Sequence, residues 1–213
     1  MNTPRSNRIT IGIFGRTNVG KSSVMNLILG QDAAITSPEP GTTTDTVERA
    51  MELAPIGPVT VIDTAGLDDV STLGALRIAR SMSALSRSDV ALIVCEPNIW
   101  GPHEDALIAA ARTQNIPFII AVNKCDAIEP SASFRGTVTA IGPAIFLSGN
   151  DHARRSTYLT MLAGLLIDVL PPELFAPPPL VSDRVPQSSL AVLVVPIDLG
   201  APKGRIILPQ VQV

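Results

Sequence analysis

Short apolar runs alternate with amphipathic stretches along residues 9–170. Aliphatic and β-branched residues fill the apolar runs, which have the length of buried strands, whereas the amphipathic stretches repeat apolar residues at helical spacing. The predicted strands are residues 9–14, 47–53, 58–62, 89–95, 117–122 and 144–147, and the predicted helices are residues 22–29, 73–87, 103–114 and 155–170. This alternation predicts an α/β fold, with a mainly parallel sheet covered by helices on both faces.

A glycine-rich loop separates the first predicted strand from the first predicted helix. Residues 15–22 read Gly-Arg-Thr-Asn-Val-Gly-Lys-Ser, a complete phosphate-binding loop pattern in the strand–loop–helix context that it requires. Backbone N–H groups of such a loop and the positive end of the helix dipole point at one spot and favour a polyphosphate. We expect Lys21 to contact the β- and γ-phosphates and Ser22 to bind Mg²⁺. The residues predicted to line this site are Gly15, Asn18, Val19, Gly20, Lys21, Ser22 and Ser23.

Further motifs follow in a fixed order and indicate which nucleotide binds. A hydroxyl-rich segment, Gly-Thr-Thr-Thr-Asp, occupies residues 41–45, and Asp-Thr-Ala-Gly follows a predicted strand at residues 63–66. Asp63 then lies where a carboxylate can hold Mg²⁺, and Gly66 where a backbone N–H can meet the γ-phosphate. Asn-Lys-Cys-Asp follows another strand at residues 123–126. The Asp126 carboxylate can accept hydrogen bonds from the ring N–H and 2-amino group of guanine, which adenine lacks. The four motifs, in this order along the chain, therefore predict GTP and GDP as ligands.

These motifs resemble those of the translation-factor-like GTPases, the group that includes the tRNA-modification and ribosome-assembly GTPases. Within that group the chain is most similar to the HydF family, the GTPases that mature iron-iron hydrogenases. Residues 40–45 together with residues 63–69 match that family's two switch segments, and residues 193–212 resemble the start of its dimerisation domain. The resemblance implies a GTP-binding, GTP-hydrolysing maturation factor, a homodimer in the full-length protein, and the hydrogenase and other maturation proteins as partners.

The resemblance also implies roles for individual residues. Thr43 would bind Mg²⁺ in the triphosphate state, with Thr42 or Thr44 as the ligand if the register differs by one. Lys21, Thr43 and Gly66 are therefore the residues expected to take part in catalysis.

The residue that positions the attacking water is not evident. Many GTPases carry Gln directly after the Asp-x-x-Gly motif, but here that position is Leu67, so we expect slow hydrolysis. The resemblance implies that Asn18 helps to hold a K⁺ that stimulates the reaction; alternatively, Asn18 only stabilises a turn. Asp68 and Asp69 could position water or could simply be solvated.

Guanine recognition is expected to involve residues from two loops. Asn123, Lys124 and Asp126 form the first, and Ser148 with Gly149 lies where the resembled family cradles guanine through backbone N–H groups. That family has Ser-Ala-Lys-like residues at this point, whereas this chain has Ser-Gly-Asn, which predicts weaker guanine affinity.

Proline content marks a change of organisation near residue 171. We predict a GTP-binding domain over residues 1–171, a proline-rich linker over residues 172–187, and the incomplete start of a dimerisation domain over residues 188–213. Residues 190–199 and 205–208 are predicted to be the two strands of a hairpin. A lone hairpin is marginal in water and its free edges attract other strands, so weak or heterogeneous self-association is expected.

Charge, hydropathy and cysteine content limit the classes of protein to which the chain can belong. The 213 residues carry a net charge of −3, which offers no electrostatic footprint for nucleic acid, and no apolar run approaches the ~20 residues that span a bilayer. Cys95 and Cys125 are too few and wrongly placed for a disulfide framework or an iron-sulfur cluster, so a cytoplasmic protein is expected. Two alternatives stay open: a tRNA-modification or ribosome-assembly GTPase, and a nucleotide-binding scaffold with little hydrolysis.

Overall fold

A computed structural model of the chain describes residues 8–30, 47–63 and 82–175. The chain divides at Phe175 into two units, and all of these residues belong to the first, Met1–Phe175. The elements are β1 Ile9–Phe14, α1 Lys21–Leu29, β2 Val47–Leu53, β3 Gly57–Asp63, β4 Val90–Cys95, α2 Pro102–Thr113, β5 Phe118–Val122, α3 Ala132–Ile141, β6 Ala144–Phe146 and α4 Arg155–Val169. Short 3₁₀ turns at His152–Arg154 and Pro172–Leu174 flank α4.

Six strands form one sheet in the order β2-β3-β1-β4-β5-β6. Strands β1, β3, β4, β5 and β6 are parallel, and β2 alone pairs antiparallel with its neighbour β3. This confirms the mainly parallel sheet. Strand β3 lies on one side of β1, and β4, the next strand along the chain, lies on the other side. The strand order therefore reverses at β1. In open α/β sheets a ligand binds beyond the carboxyl ends of the strands at such a point, and the phosphate-binding loop follows β1 directly.

Apolar side chains cover both faces of the sheet. On one face, Ile11 and Ile13 pack with Leu27 of α1 and with Leu162 and Leu166 of α4. The opposite face belongs to a second cluster, whose members from the sheet and from α2 and α3 are Phe14, Ile93, Cys95, Ile108, Ala111, Ile120, Val122, Phe134 and Val138. Alternate residues of β1 therefore point to opposite layers, and the prediction of helices on both faces is confirmed.

The carboxyl end of α1 is fixed by the first residue of α4. Arg155 donates from Nε to the carbonyl of Leu27 at 2.7 Å and from Nη2 to that of Ile28 at 2.8 Å. These carbonyls lack partners within the helix, and a cation at this end also complements the helix dipole. Gly30 follows with φ 63°, and a Cβ on it would lie 2.7 Å from Cζ of Arg155. The predicted end of this helix at residue 29 is thus confirmed.

Some predicted elements differ from the structure or fall outside it. Helix α3 was not predicted; it begins after Ser131, whose hydroxyl accepts the N–H of Phe134 at 3.2 Å. Of the predicted helix 73–87, residues 82–85 are helical and residues 73–81 lie outside the described part. The predicted linker beyond residue 175 and the segment 188–213 also lie outside it. No helix among the described residues is long and apolar enough to cross a membrane.

Candidate functional site

The loop between β1 and α1 contains two glycines at positions that leave no room for a side chain. Gly15 has φ 148° and Gly20 has φ 92°, in the region that favours glycine. A Cβ at Gly15 would lie 2.3 Å from the carbonyl oxygen of Val94, and one at Gly20 would lie 2.3 Å from Nδ2 of Asn123. Close approach to β4 and to the loop after β5 therefore requires glycine at both positions.

Lys21 is the first residue of α1, and its side chain folds back over the loop. Only 5% of Lys21 is exposed, and its Nζ donates to the carbonyls of Gly15 at 2.8 Å and Arg16 at 2.9 Å. A cavity of about 410 Å³ opens beside it; its lining residues are Thr17, Asn18, Gly20, Lys21, Ser22, Ser23 and Lys124. A sheltered ammonium, a helix amino terminus and a cavity of ligand size are together suited to a phosphate chain.

Asn123 joins three loops through one amide group. It is 2% exposed; its Nδ2 donates to the carbonyl of Val19 at 2.9 Å, and its Oδ1 accepts the N–H of Gly149 at 2.7 Å. A Cβ on Gly149 would lie 2.8 Å from Cβ of Ser23, so the loop after β6 packs directly on the first turn of α1. The phosphate loop, the Asn-Lys-Cys-Asp loop and the 148–149 loop are thus held together, as a shared site requires.

Lys124 crosses from the loop after β5 to the phosphate loop. Its backbone is left-handed, with φ 64°, and its Nζ lies 2.6 Å from the carbonyl oxygen of Asn18 and 2.6 Å from Oε1 of Glu96. Cε of Lys124 lies 3.9 Å from the point where a Cβ on Gly20 would stand. The methylene chain therefore runs along the phosphate loop at one wall of the cavity.

Asp126 and Ser148 differ in their surroundings. Asp126 is exposed, and no hydrogen bond or ion pair joins its carboxylate to another described residue. Ser148 is 3% exposed, and its Oγ accepts the N–H of Asn150 at 3.3 Å. The carboxylate of Asp126 thus keeps acceptor positions that can face a donor pair on a purine edge.

The predicted magnesium ligands are only partly described. Ser22 lies at the cavity and is exposed. Asp63 ends β3, with its backbone beside Ile13 of β1. Thr43 and Gly66 lie outside the described residues, as does Leu67.

An ion pair that the sequence did not indicate anchors the start of the loop. Arg16 donates from Nε to Oε1 of Glu104 at 2.6 Å. The Glu104 side chain is fully buried, and its Oε2 accepts the N–H of Gly101 at 3.0 Å. Glu104 lies at the third position of α2 after Pro102, a pattern that predicts a helix start but does not identify a partner 88 residues away.

Both cysteines are packed thiols with raised pKa values. Burial, and then the nearby carboxylate of Glu104, raises the pKa of Cys95 to about 12. Burial also raises the pKa of Cys125 above its usual value. Among the residues that the structure describes, no cluster of His, Cys, Asp and Glu side chains is arranged to hold a metal ion.

Comparison with solved structures defines the fold class. A variant of Aquifex aeolicus Era bound to GDP and AlF4⁻ matches with a TM-score of 0.57 and 24% identity, over 76% of this chain and 56% of that one. Era in complex with MgGDPNP and a segment of 16S ribosomal RNA matches with a TM-score of 0.58 and 23% identity, over 83% and 60%. With the phosphate loop described above, the chain has the fold of a P-loop GTPase.

The chain belongs to the 50S ribosome-binding GTPase family, which it matches over residues 10–124. Residues 180–213 match a second family, the Hydrogen maturase F dimerization domain. The two matches occur in the order expected from the resemblance to HydF, which is thereby confirmed.

Curated relatives share the GTPase part of the chain. The tRNA modification GTPase MnmE of Chloroflexus aurantiacus is 41% identical over 125 residues, which cover 56% of this chain and 26% of that protein. GTPase Der of Caldicellulosiruptor saccharolyticus is 39% identical over 134 residues, which cover 61% and 30%. The chain therefore spans between a quarter and a third of the length of these relatives.

Proposed function

We propose that this chain is the GTP-binding and GTP-hydrolysing part of a cytoplasmic maturation factor for iron-iron hydrogenase metallocluster assembly. The observation that carries the proposal is the match of residues 180–213 to the Hydrogen maturase F dimerization domain after a GTPase match at residues 10–124. The matched segment also supports assembly of the protein as a homodimer. In this proposal, the hydrogenase and the other maturation proteins are the partners.

The residues around the cavity suit magnesium and a guanine nucleotide. Lys21 would neutralise the β- and γ-phosphates while the loop N–H groups bind their oxygens. Hydroxyl and carboxylate oxygens are the donors that Mg²⁺ prefers, so Ser22, Asp63 and Thr43 are assigned to hold it. Held by these oxygens, Mg²⁺ would supply positive charge that offsets the negative charge of the phosphates. Lys124 and Asp126 would bind the base, with Asn123, Ser148 and Gly149 supporting the loops around it.

Hydrolysis would join the oxygen of a water molecule to the γ-phosphorus and break the bond between the γ-phosphorus and the oxygen that links it to the β-phosphorus. GDP and phosphate would leave, and the proton lost by the water would pass to a phosphate oxygen or to solvent. Lys21 and the backbone N–H of Gly66 would stabilise the charge that develops on the phosphate oxygens. Leu67 cannot orient water, which supports a slow intrinsic rate.

Asn18 supports the proposal that K⁺ stimulates the reaction. It is exposed at the cavity with φ 66°, and its side chain makes no hydrogen bond to another described residue, so its amide oxygen can bind a cation. We expect GTP hydrolysis in KCl to exceed that in NaCl at equal ionic strength by about an order of magnitude, measured as phosphate release.

Two substitutions separate cation binding from backbone strain in that experiment. Asn18→Gly adopts the left-handed backbone without strain, whereas Asn18→Ala adopts it at a cost of about 1 to 2 kcal/mol, and both should remove the difference between the salts. Asn26→Ala, an exposed asparagine of α1, serves as the control and should keep the difference. Equal rates of the parent chain in both salts would contradict potassium stimulation.

The proposed maturation role is tested in cells that make an iron-iron hydrogenase. The gene that contains this chain, in parental form or with Lys21→Ala, is expressed with the hydrogenase and the other maturation proteins, and hydrogen evolution is measured. We expect activity to depend on the gene and to fall sharply with Lys21→Ala. Unchanged hydrogen evolution without the gene would refute the proposal.

A tRNA-modification GTPase is the second candidate, favoured by the 41% identity to MnmE over 125 residues. It predicts a change in the modified nucleosides of bulk tRNA when the gene is deleted, which mass spectrometry of digested tRNA detects. The maturation role predicts unchanged tRNA and loss of hydrogenase activity.

A further inference from the structure

We propose that Glu96 is a positioning residue for guanine recognition, which acts by holding the side chain of Lys124 against the phosphate loop. Glu96 follows β4 and belongs to none of the nucleotide-binding motifs of the sequence. The inference rests on the proposed binding of a guanine nucleotide beside Lys124.

The ammonium group of Lys124 has two partners at the same distance. Its Nζ lies 2.6 Å from the carbonyl oxygen of Asn18 and 2.6 Å from Oε1 of Glu96. The carbonyl draws the side chain toward the phosphate loop, and the carboxylate offsets its charge. With side-chain exposures of 20% for Glu96 and 36% for Lys124, water screens the pair only in part.

Without Glu96 the lysine would have many other conformations. A lysine side chain has four rotatable bonds and loses substantial rotamer entropy when it is fixed. Both hydrogen bonds have the charged ammonium as donor, but only the one to Glu96 joins two opposite charges, so Glu96 supplies the stronger of the two restraints on Nζ. The restraint keeps the methylene chain along the cavity wall, where it can cover the flat face of a purine.

Glu96 is itself held in place by the loop that follows it. Its carbonyl accepts the N–H of Ile99 at 3.3 Å. Asn98, with φ 62°, donates from Nδ2 to the carbonyl of Glu129 at 3.0 Å and accepts the N–H of Ser131 at 2.9 Å through Oδ1. The loop after β4 is thus fastened to the loop that follows Asn-Lys-Cys-Asp, which fixes the backbone from which the Glu96 side chain extends.

The charge substitution Glu96→Gln tests this role with almost no change of shape. We expect GTP and GDP to bind about fivefold to twentyfold more weakly, measured by calorimetry, because the attraction between the carboxylate and the Lys124 ammonium is lost and the weaker bond to an amide oxygen remains. ITP lacks the 2-amino group that Asp126 is proposed to bind, so its affinity should fall by the same factor and the ratio of GTP to ITP affinity should stay constant. KM for GTP should rise more than kcat falls. Glu129→Gln, an exposed carboxylate in the adjoining loop, is the matched control and should bind GTP as the parent does.

A second variant shows whether Glu96 acts through Lys124. In a Lys124→Met background, Glu96→Gln should cause no further loss of GTP affinity, since the ammonium that it restrains is absent. An unchanged or tighter GTP affinity of Glu96→Gln, or an equal loss in both backgrounds, would overturn the inference. A parent chain that binds no GTP would overturn the proposed function as well, and so the two failures are distinguishable.

Discussion

Asp126→Asn is expected to change the preferred base from guanine to xanthine. The parental carboxylate can accept from both the ring N–H and the 2-amino group of guanine, whereas an asparagine amide offers one acceptor and one donor. Xanthine has an oxygen in place of the 2-amino group, so an asparagine amide can donate to that oxygen and accept from the ring N–H. With guanine, the amide NH2 would instead face the 2-amino group, and two donors would meet. GTP affinity should fall by about a hundredfold or more while xanthosine triphosphate gains affinity, because mismatched polar groups in such a site carry a large cost.

Calorimetric titration of the parent and the variant with GTP, ATP and xanthosine triphosphate measures this change. Asp168→Asn removes an exposed carboxylate of α4, and it is the charge-matched control that should leave base preference unchanged. Equal affinity of the parent for ATP and GTP would show that Asp126 does not select guanine.

Lys21→Ala is expected to have the second large effect, because it removes the sheltered ammonium beside the cavity. Loss of its contact to the β- and γ-phosphates should cost about 2 to 4 kcal/mol of nucleotide binding, typical of a lost charge-assisted partner. Ser22→Ala, which removes a proposed Mg²⁺ ligand, should cost a similar amount.

Phosphate release and nucleotide affinity are the measurements for both variants. Lys21 also donates to the carbonyls of Gly15 and Arg16, so the thermal unfolding midpoint without nucleotide must be recorded beside them. Arg154→Ala is the control: it removes a positive charge from a side chain that is 73% exposed, and it should leave nucleotide binding intact. The assignment of the phosphate site fails if folded Lys21→Ala and Ser22→Ala both hydrolyse GTP at the parental rate.

Local patterns explain why much of the fold and the phosphate loop was predictable. The run from Ile9 to Phe14 has the length of a buried strand, and the glycines of the loop mark positions where backbone sterics permit little else. Helix α3 escaped prediction because Gly136, Thr137 and Thr139 lower its helix propensity. Ser131 as its cap and the buried pair Phe134 and Val138, four residues apart, were the signals that could have revealed it.

Contacts between distant segments explain what was not predictable. Arg16 meets Glu104 and Lys124 meets Glu96 only because β1, β4 and β5 end at one edge of the sheet. A charged residue after a strand or in the first turn of a helix has many possible roles, and spacing along the chain does not choose among them. The order of the strands was needed before either carboxylate could be assigned a partner.

The amide of Asn123 has a consequence for how the protein acquires its activity. Its partners, Val19 and Gly149, are separated from each other by most of the described domain, and each lies in a loop whose position depends on a different strand. Loop-closure entropy makes such contacts late events in folding. A nascent chain would therefore have its complete phosphate loop sequence long before it could retain GTP. Because GTP would bind only the folded arrangement of loops, its binding would shift the folding equilibrium of the remaining unfolded molecules toward the native state.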